Sequence, residues 1–342
     1  MTRVLLLCHE ELVPPSSIEG LTDEEISDYR AEFDVLTALR DLGYDAEVLG
    51  IPDDIEVLRQ GIRDFQPHVC FNLLVEFHGV AEYDAHVTSY LELLRQPYTG
   101  CNPRGQLLAR DKVLSKKLLA HAGIPSPVFQ RFERKKRVAL PAHLEYPLFV
   151  KSATEEASLG IGLESIVHDD EALAERCAYF FEEIGCDALV EEYIEGREFY
   201  LGVIGNKSLT TWPVWELCID ELPEGHPLIA TRRVKWDVAY QKEIGIQNRR
   251  ARELSPKAER EMARIAKLTY RTLGLSGYAR LDLRMRPDGR IYVLEANPNP
   301  DITYGEDFAE SAEDAGVEFT ALVRRIVNLG RRYEAPWTLY HH

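Results

Sequence analysis

The chain lacks several features that would settle its class at once. Its six cysteines are scattered, with no C-x-x-C pair and no histidine partners nearby, so the usual zinc spacings are excluded. Cys8 and Cys70 fall in strand-like runs, and buried reduced thiols in a cytoplasmic protein are expected rather than disulfides. No apolar run approaches the ~18 residues of a membrane helix. Met1-Thr-Arg leads directly into Val4-Leu-Leu-Leu-Cys8, which reads as a first strand rather than a signal peptide. Positive charge is also short: 40 Lys and Arg stand against 57 Asp and Glu, a formal charge of −17. That balance argues against nucleic acid and anionic membranes as partners, and is compatible with cationic or zwitterionic substrates.

What is present is an α/β chain of 342 residues, too long for one ordinary core, so two or three domains are expected. Strand and helix alternate through the first hundred residues. Val4–Cys8, Asp45–Leu49 and His68–Leu74 read as strands, and Asp28–Leu42 and Ile55–Asp64 as helices. This rhythm predicts a parallel sheet with helices on its faces. Ligands of such sheets lie beyond the strands' carboxyl ends, where Cys8-His9-Glu10-Glu11 and Glu76-Phe-His78-Gly79 fall. The acidic loop from Glu10 to Glu25 is long for a βα connection.

A second unit begins near Arg104. Asp111-Lys112 opens a helix that Gly123 stops, and Tyr146-Pro-Leu-Phe-Val-Lys151 is a strand delivering a lysine to the loop Ser152-Ala-Thr-Glu-Glu-Ala157-Ser158-Leu-Gly160. Backbone N–H groups of such a loop can wrap phosphate while the lysine neutralises charge. The Gly-x₄-Gly-Lys-Ser/Thr pattern is absent, so this is not a P-loop. A third unit opens with Ala188-Leu-Val-Glu191-Glu192-Tyr193-Ile194-Glu-Gly196-Arg-Glu198, two strands with a short connection between them. Helices are predicted over Pro256–Leu273 and Val317–Leu329.

The most informative stretch is Gly277 to Pro298. Two alternating runs flank Pro287-Asp288-Gly289 and predict a β-hairpin. If the turn pairs Arg286 with Ile291, then Asp282 lies opposite Glu295 and Arg280 opposite Asn297, all four on one face. Facing carboxylates repel unless a cation sits between them, and an oxygen-only set of Asp, Glu and Asn suits Mg²⁺. The alternative is a solvent-facing hairpin with scattered charges.

Taken in order, Lys112, Lys151 with its loop, the Glu191–Glu198 connection, Arg280-x-Asp282 and Glu295-Ala-Asn297 resemble the ATP-grasp superfamily. The pattern is similar to that of the D-alanine–D-alanine ligases over nearly the whole chain, including Phe71-Asn-Leu and His78-Gly79. The resemblance implies three domains: a pre-ATP-grasp α/β domain (1–103), a central α+β subdomain (104–190) and a C-terminal α+β subdomain (191–335). ATP would be gripped between the last two. By the same resemblance Lys112 and Lys151 contact the nucleotide phosphates, and Ser158 to Gly160 close over them. The Glu192 and Ile194 backbones meet the base with Tyr193 nearby, Glu191 is a further nucleotide-binding residue, and Glu198 holds ribose. Lys235 follows the γ-phosphate, with Lys242 as a competitor. Asp282, Glu295 and Asn297 hold two Mg²⁺ ions (Mn²⁺ being the other candidate), and Arg280 stabilises the oxyanion. Arg280, Lys235 and Ser158 are thus the expected catalytic residues, and a homodimer is implied.

The implied reaction is ATP-dependent ligation of a small-molecule carboxylate to an amine through an acylphosphate. The chain departs from the ligase pattern at its substrate positions. The N-terminal glycine/serine/glutamate motif is missing, leaving Glu10, Glu11 or Glu82, beside His78, as partners for an ammonium. Ala157 stands where the family has its loop serine. After Asn297 the glycine and serine that receive an acceptor carboxylate give way to a run containing Asp301, Glu306 and Asp307. Acidic side chains repel an acceptor carboxylate, so substrates other than D-alanine plus D-alanine are expected. A genuine D-alanine–D-alanine ligase, or an ATP-binding regulatory protein without catalysis, are the alternatives.

Overall fold

The computed structural model describes residues 1–153, 160–220, 229, 240 and 244–340. Three sheets organise them. The first is parallel, in the order β2-β1-β3, from β1 (Arg3–His9), β2 (Asp45–Ile51) and β3 (Val69–Asn72). After the short α1 (Asp23–Ser27), the connecting helices are α2 (Arg30–Asp41) and α3 (Ile55–Phe65), as the alternating sequence predicts. Each hydrophobic stripe is buried on one side of the sheet. Val35, Ala38 and Leu39 of α2 join Val4, Leu6 and Phe71, and Leu58 of α3 joins Leu5, Leu7 and Cys70. Two more helices follow, α4 (Asp84–Leu93) and α5 (Pro103–Arg110).

After α6 (Lys112–His121), the second sheet is antiparallel, in the order β4-β7-β5-β6. Its strands are β4 (Phe129–Phe132), β5 (Leu148–Ser152), β6 (Ile166–Val167) and β7 (Ala188–Glu192). Alternation sorts its residues. Leu148, Val150, Ala188 and Val190 bury against Leu173 and Cys177 of α7 (Asp170–Tyr179). Lys151, Leu189 and Glu191 therefore project from the opposite face. β7 pairs with β5 along its whole length and with β4 from Ala188 to Glu191, so the expected boundary at 190/191 falls inside a strand.

The third sheet has the order β11-β10-β8-β12-β13, with β9 (Thr210–Thr211) paired to β8. Its strands are β8 (Arg197–Ile204), β10 (Trp215–Ile219), β11 (Ile246–Arg250), β12 (Tyr278–Met285) and β13 (Ile291–Pro298). One face buries Phe199, Leu201, Leu281, Leu283 and Val293 against Met262, Ile265 and Ala266 of α8 (Pro256–Thr272). Ala109 of α5 and Leu119 of α6 join that core, so the segment opening the expected second unit is packed on the third sheet. α9 (Asp307–Asp314) follows the hairpin. The last helix, α10 (Phe319–Arg331), buries Leu322, Val323 and Ile326 with Val4, Leu6 and Phe71, returning to the first sheet. All six cysteines are free, four of them buried.

The strands on either side of Gly196 belong to different sheets. Gly196 has φ +145°, and a Cβ there would meet the Met285 carbonyl oxygen at 2.0 Å, so only glycine lets the chain cross so close to the hairpin. Gly100 does the same elsewhere: at φ +92° it leaves room for the Asn299 side chain, whose Oδ1 accepts the Cys101 N–H at 2.7 Å. That contact ties the loop after β13 to the chain entering α5.

Candidate active site

The second and third sheets face each other across a cleft of about 830 Å³, within the range of small-molecule sites. Because Phe199, Leu201, Leu281 and Leu283 face the core, alternation sends Glu198, Tyr200, Arg280, Asp282 and Arg284 into the cleft. Lys151 and Glu191 line it from β5 and β7, Lys112 from the first turn of α6, and Glu192, Tyr193 and Ile194 from the chain leaving β7.

The hairpin places its four polar residues as expected at one end and differently at the other. Arg280 pairs with Asn297 and Asp282 with Glu295, but Met285 pairs with Ile291, and a bulge beside Asp282 and Leu283 shifts the register. The expected pairing of Arg286 with Ile291 is thus corrected: the Arg286 N–H donates to the Arg290 carbonyl, closing a three-residue turn with Gly289 at φ +85°. The bulge absorbs the one-residue difference and turns both Leu294 and Glu295 into the cleft.

Arg280 makes a two-point contact with Asp282, Nε to Oδ1 at 2.8 Å and Nη2 to Oδ2 at 3.1 Å, and its Nη1 lies 3.7 Å from Asp307. It also lies over the Tyr200 ring, 4.9 Å from the centroid. Burial opposes the guanidinium charge, but Asp282 and Asp307 outweigh it and hold its pKa above the ordinary value. Asn297 Nδ2 is buried without a hydrogen-bond partner. Among the described residues no three His, Cys, Asp or Glu side chains converge as a metal cluster. Two carboxylates and the Asn297 side-chain oxygen nonetheless match a Mg²⁺ site that completes its shell with water and phosphate oxygens, while the unpaired Nδ2 is a donor that suits an anionic oxygen rather than the metal.

Across the cleft, Glu191 forms ion pairs with two lysines: Oε1 lies 2.8 Å from Lys151 Nζ and Oε2 2.7 Å from Lys116 Nζ. Burial alone would lower the Lys151 pKa; Glu191, then Glu295, outweigh it and raise it. For Lys116 burial wins, with Lys151 adding to it, and the pKa falls despite Glu191. Burial would raise Glu191, yet the two lysines keep it below the ordinary carboxylate value. Glu198 accepts from the Tyr200 hydroxyl at 3.1 Å and lies 3.5 Å from Arg284, whose guanidinium is 5.3 Å from the Tyr193 ring centroid.

The remaining expected residues divide. Asp301 and Glu306 line the far end of the cleft beside Asp307, and Asp301 Oδ1 also accepts from the Thr303 backbone at 2.7 Å. Glu10, Glu11, His78 and Glu82 do not line it. Glu10 and Glu11 form an exposed 3₁₀ turn in which Glu11 N–H donates to His9 Nδ1, His78 pairs with Asp53 at 3.3 Å, and Glu82 is exposed. Val75, Glu76 and Arg110 line that wall instead, Arg110 held 2.5 Å from Asp84. Gly160 sits just behind Ile161, with φ +71° and its carbonyl accepting from Arg176. Ser158, Lys235 and Lys242 lie outside the described residues. Sequence reading missed Lys116 and Arg284. Lys116 stands in the buried stripe of α6 with Val113 and Leu119, and Arg284 continues the period-two alternation of Arg280 and Asp282.

Two antiparallel sheets closing on a charged cleft form the ATP-grasp fold. A D-alanine–D-alanine ligase from Bacillus anthracis, solved in complex with ATP, aligns over 97% of this chain and 98% of its own with TM-score 0.74 at 21% identity. The family described as the D-ala D-ala ligase C-terminus matches residues 118–328. The chain is 31% identical to a D-alanine–D-alanine ligase from Desulforudis audaxviator over 91% of its own length and 96% of the relative's. It is also 30% identical to the uncharacterized protein y4sG of Sinorhizobium fredii, covering 77% of this chain and 74% of that one. The chain belongs to the D-alanine–D-alanine ligase family. It is an ATP-dependent ligase that forms C–N bonds. Among the described residues no helix is long and apolar enough to cross a membrane.

Proposed function

We propose that the protein joins a small carboxylate to an amine acceptor that carries a second cationic group or lacks an α-carboxylate, rather than D-alanine to D-alanine. A carboxylate is a poor electrophile, so the γ-phosphoryl group of ATP is first transferred to it. The resulting acylphosphate has a good leaving group, and attack by the amine expels phosphate and leaves an amide. Negative charge gathers on oxygen in both steps, and preorganised donors in a closed site stabilise it.

In this reading Lys112 and Lys151 hold phosphate oxygens. Tyr193 and the backbone at Glu192 and Ile194 border the base, while Glu198 binds ribose hydroxyls. Arg280 is aimed at the developing oxyanion by Asp282. Asp282, Glu295 and Asn297 would hold two Mg²⁺ ions, or Mn²⁺, which when bound neutralise phosphate charge and align its oxygens. Ser158 and Lys235 keep their proposed roles over the phosphates on sequence grounds. The same reading divides the chain near 103 and, because β7 runs on to Glu192, after 192 rather than 190.

The observation that carries the acceptor class is the far end of the cleft, where Asp301, Glu306 and Asp307 line the wall beside Arg280. Arg280 already faces Asp282 and Asp307 there, so an acceptor carboxylate would meet more negative than positive charge at that end. A second reading, a genuine D-alanine–D-alanine ligase, draws support from relatives of that name matching along most of the chain. Measuring ADP release with ATP, Mg²⁺ and paired carboxylates and amines, then product mass, separates the two. Efficient D-Ala-D-Ala formation from D-alanine alone would sink the first reading. ADP release with diamine or amino-amide acceptors, and none with D-alanine alone, would sink the second.

A further inference from the structure

Lys116, Glu191 and Lys151 form a buried row of charges, 2%, 3% and 7% exposed, whose outermost member alone is placed to meet phosphate. Glu191 and Lys151 line the cleft; Lys116 does not. It reaches Glu191 from behind, from α6, whose Val113 one turn earlier packs on Ala153 and Leu189 of the same sheet face. Each carboxylate oxygen of Glu191 is committed to one lysine. Two cations share one anion, so the row carries a net charge of +1, and the groove it faces is where a nucleotide's phosphates would lie. Removing Lys116 would leave Glu191 with Lys151 alone. That pair is neutral, both oxygens become available to Lys151, and the ammonium is drawn back from the cleft.

Resting on the ATP reading above, we propose that Lys116 is a positioning residue for phosphate binding: by occupying one oxygen of Glu191, it leaves Lys151 with net positive charge to present to the nucleotide. Burying three charged side chains is costly, and a buried ion pair is often no more stabilising than an apolar pair of the same shape. A row kept for packing alone would gain by losing both Lys116 and Glu191. A row kept for its charge needs an excess of one cation, whichever residues provide it.

The test is binding of ATP and of adenosine, by calorimetry, to the full chain and to Lys116→Met, Lys116→Gln and the double variant Lys116→Met/Glu191→Gln. Each is checked for native near-ultraviolet circular dichroism. Lys116→Met leaves a neutral pair rather than a stranded charge, so it is expected to fold, with Lys116→Gln as the polar replacement if it does not. The single variants should weaken ATP about tenfold, the effect of one unit of nearby charge at intermediate dielectric, and leave adenosine unchanged. The double variant restores the excess cation and should recover ATP affinity to within about threefold of wild type. Unchanged ATP binding in the single variants, equal loss of ATP and adenosine, or no recovery in the double variant would overturn the proposal. A wild-type chain that binds neither ligand would overturn the nucleotide reading itself, and the inference with it.

Discussion

The two ends of the cleft handle buried charge in opposite ways. At the lysine end each charged group has a partner: Glu191 lies between Lys116 and Lys151, and Arg284 faces Glu198. At the far end carboxylates accumulate. Asp301, Glu306 and Asp307 come from the segment after the hairpin, and Glu32, 4% exposed on α2 beside the first sheet, feels Asp301. Among the described residues Arg280 is the cation beside them, and it is held by Asp282. An end whose charges are paired, with one cation in excess, suits a recurring polyanion. An end that is overloaded with one sign is stable only in part until a ligand of the other sign arrives. Residues at the first end should therefore govern nucleotide use, and residues at the second should govern the acceptor and the stability of the free protein.

The largest expected effect lies where the two ends meet. Arg280→Ala should fold and lose on the order of 10²–10³ in the rate of ADP release, with ATP binding intact. Full turnover by this variant would remove Arg280 from the chemistry and leave the ends unconnected. Glu32→Gln should change stability rather than rate. Burial pushes the Glu32 carboxyl up to about 7, its own backbone N–H opposing and Asp301 reinforcing. Below pH 4.5 both folded and unfolded forms are protonated and there is no penalty. Between pH 4.5 and 7 the unfolded chain loses its proton while the folded one keeps it, so stability falls as pH rises, and above 7 the full penalty persists. Glu32→Gln should therefore be about 2–3 kcal/mol more stable than wild type at pH 8 and no more stable at pH 4. Urea titrations at the two pH values measure this, and an equal difference at both would show that burial leaves no pH-dependent penalty on Glu32.

How much of this was legible in the sequence follows the same division. The first sheet, the lysine strand and the hairpin obeyed local rules of alternation and turn chemistry, and the pairing of Asp282 with Glu295 came out as read. The hairpin's turn was misread by one residue because a bulge has no signature in a run of alternating residues. The partners of Glu191 were invisible for a different reason. Lys116 lies 75 positions away in the chain and meets it only because α6 docks on the second sheet. Glu10, Glu11, His78 and Glu82 were chosen for lying after strands or beside a glycine, and side-chain direction put them outside the cleft. Direction is set by tertiary packing, which the spacing of charges does not encode. Asp301 and Glu306 do line the cleft, because they follow β13 directly, within reach of where it ends.

The smallest expected effect is the sharpest test of whether the ends act separately. Burial, with Asp301 and Asp307 reinforcing it, pushes the Glu306 carboxyl up to about 7, so at pH 8 Asp301→Asn/Glu306→Gln removes two negative charges from the far end without substituting Arg280, Asp282 or the lysines. Asp301 also holds the Thr303 backbone through Oδ1, and asparagine keeps an acceptor oxygen at that position, so the turn should survive. For an acceptor with a second cationic group, kcat/KM should fall about tenfold, since each partly exposed charge contributes only about a kilocalorie per mole or less. KM for ATP should stay within about twofold of wild type. The loss should also shrink as salt is raised, because charges at the mouth of a cleft are screened over about 8–10 Å. If ATP and acceptor parameters moved together, the cleft would be one electrostatic unit, and the contrast between its ends would be geometry without consequence. If only the acceptor term moved, and carboxylate-bearing acceptors improved as the cationic one weakened, the acidic segment would be the element that separates this chain's substrate from that of its named relatives.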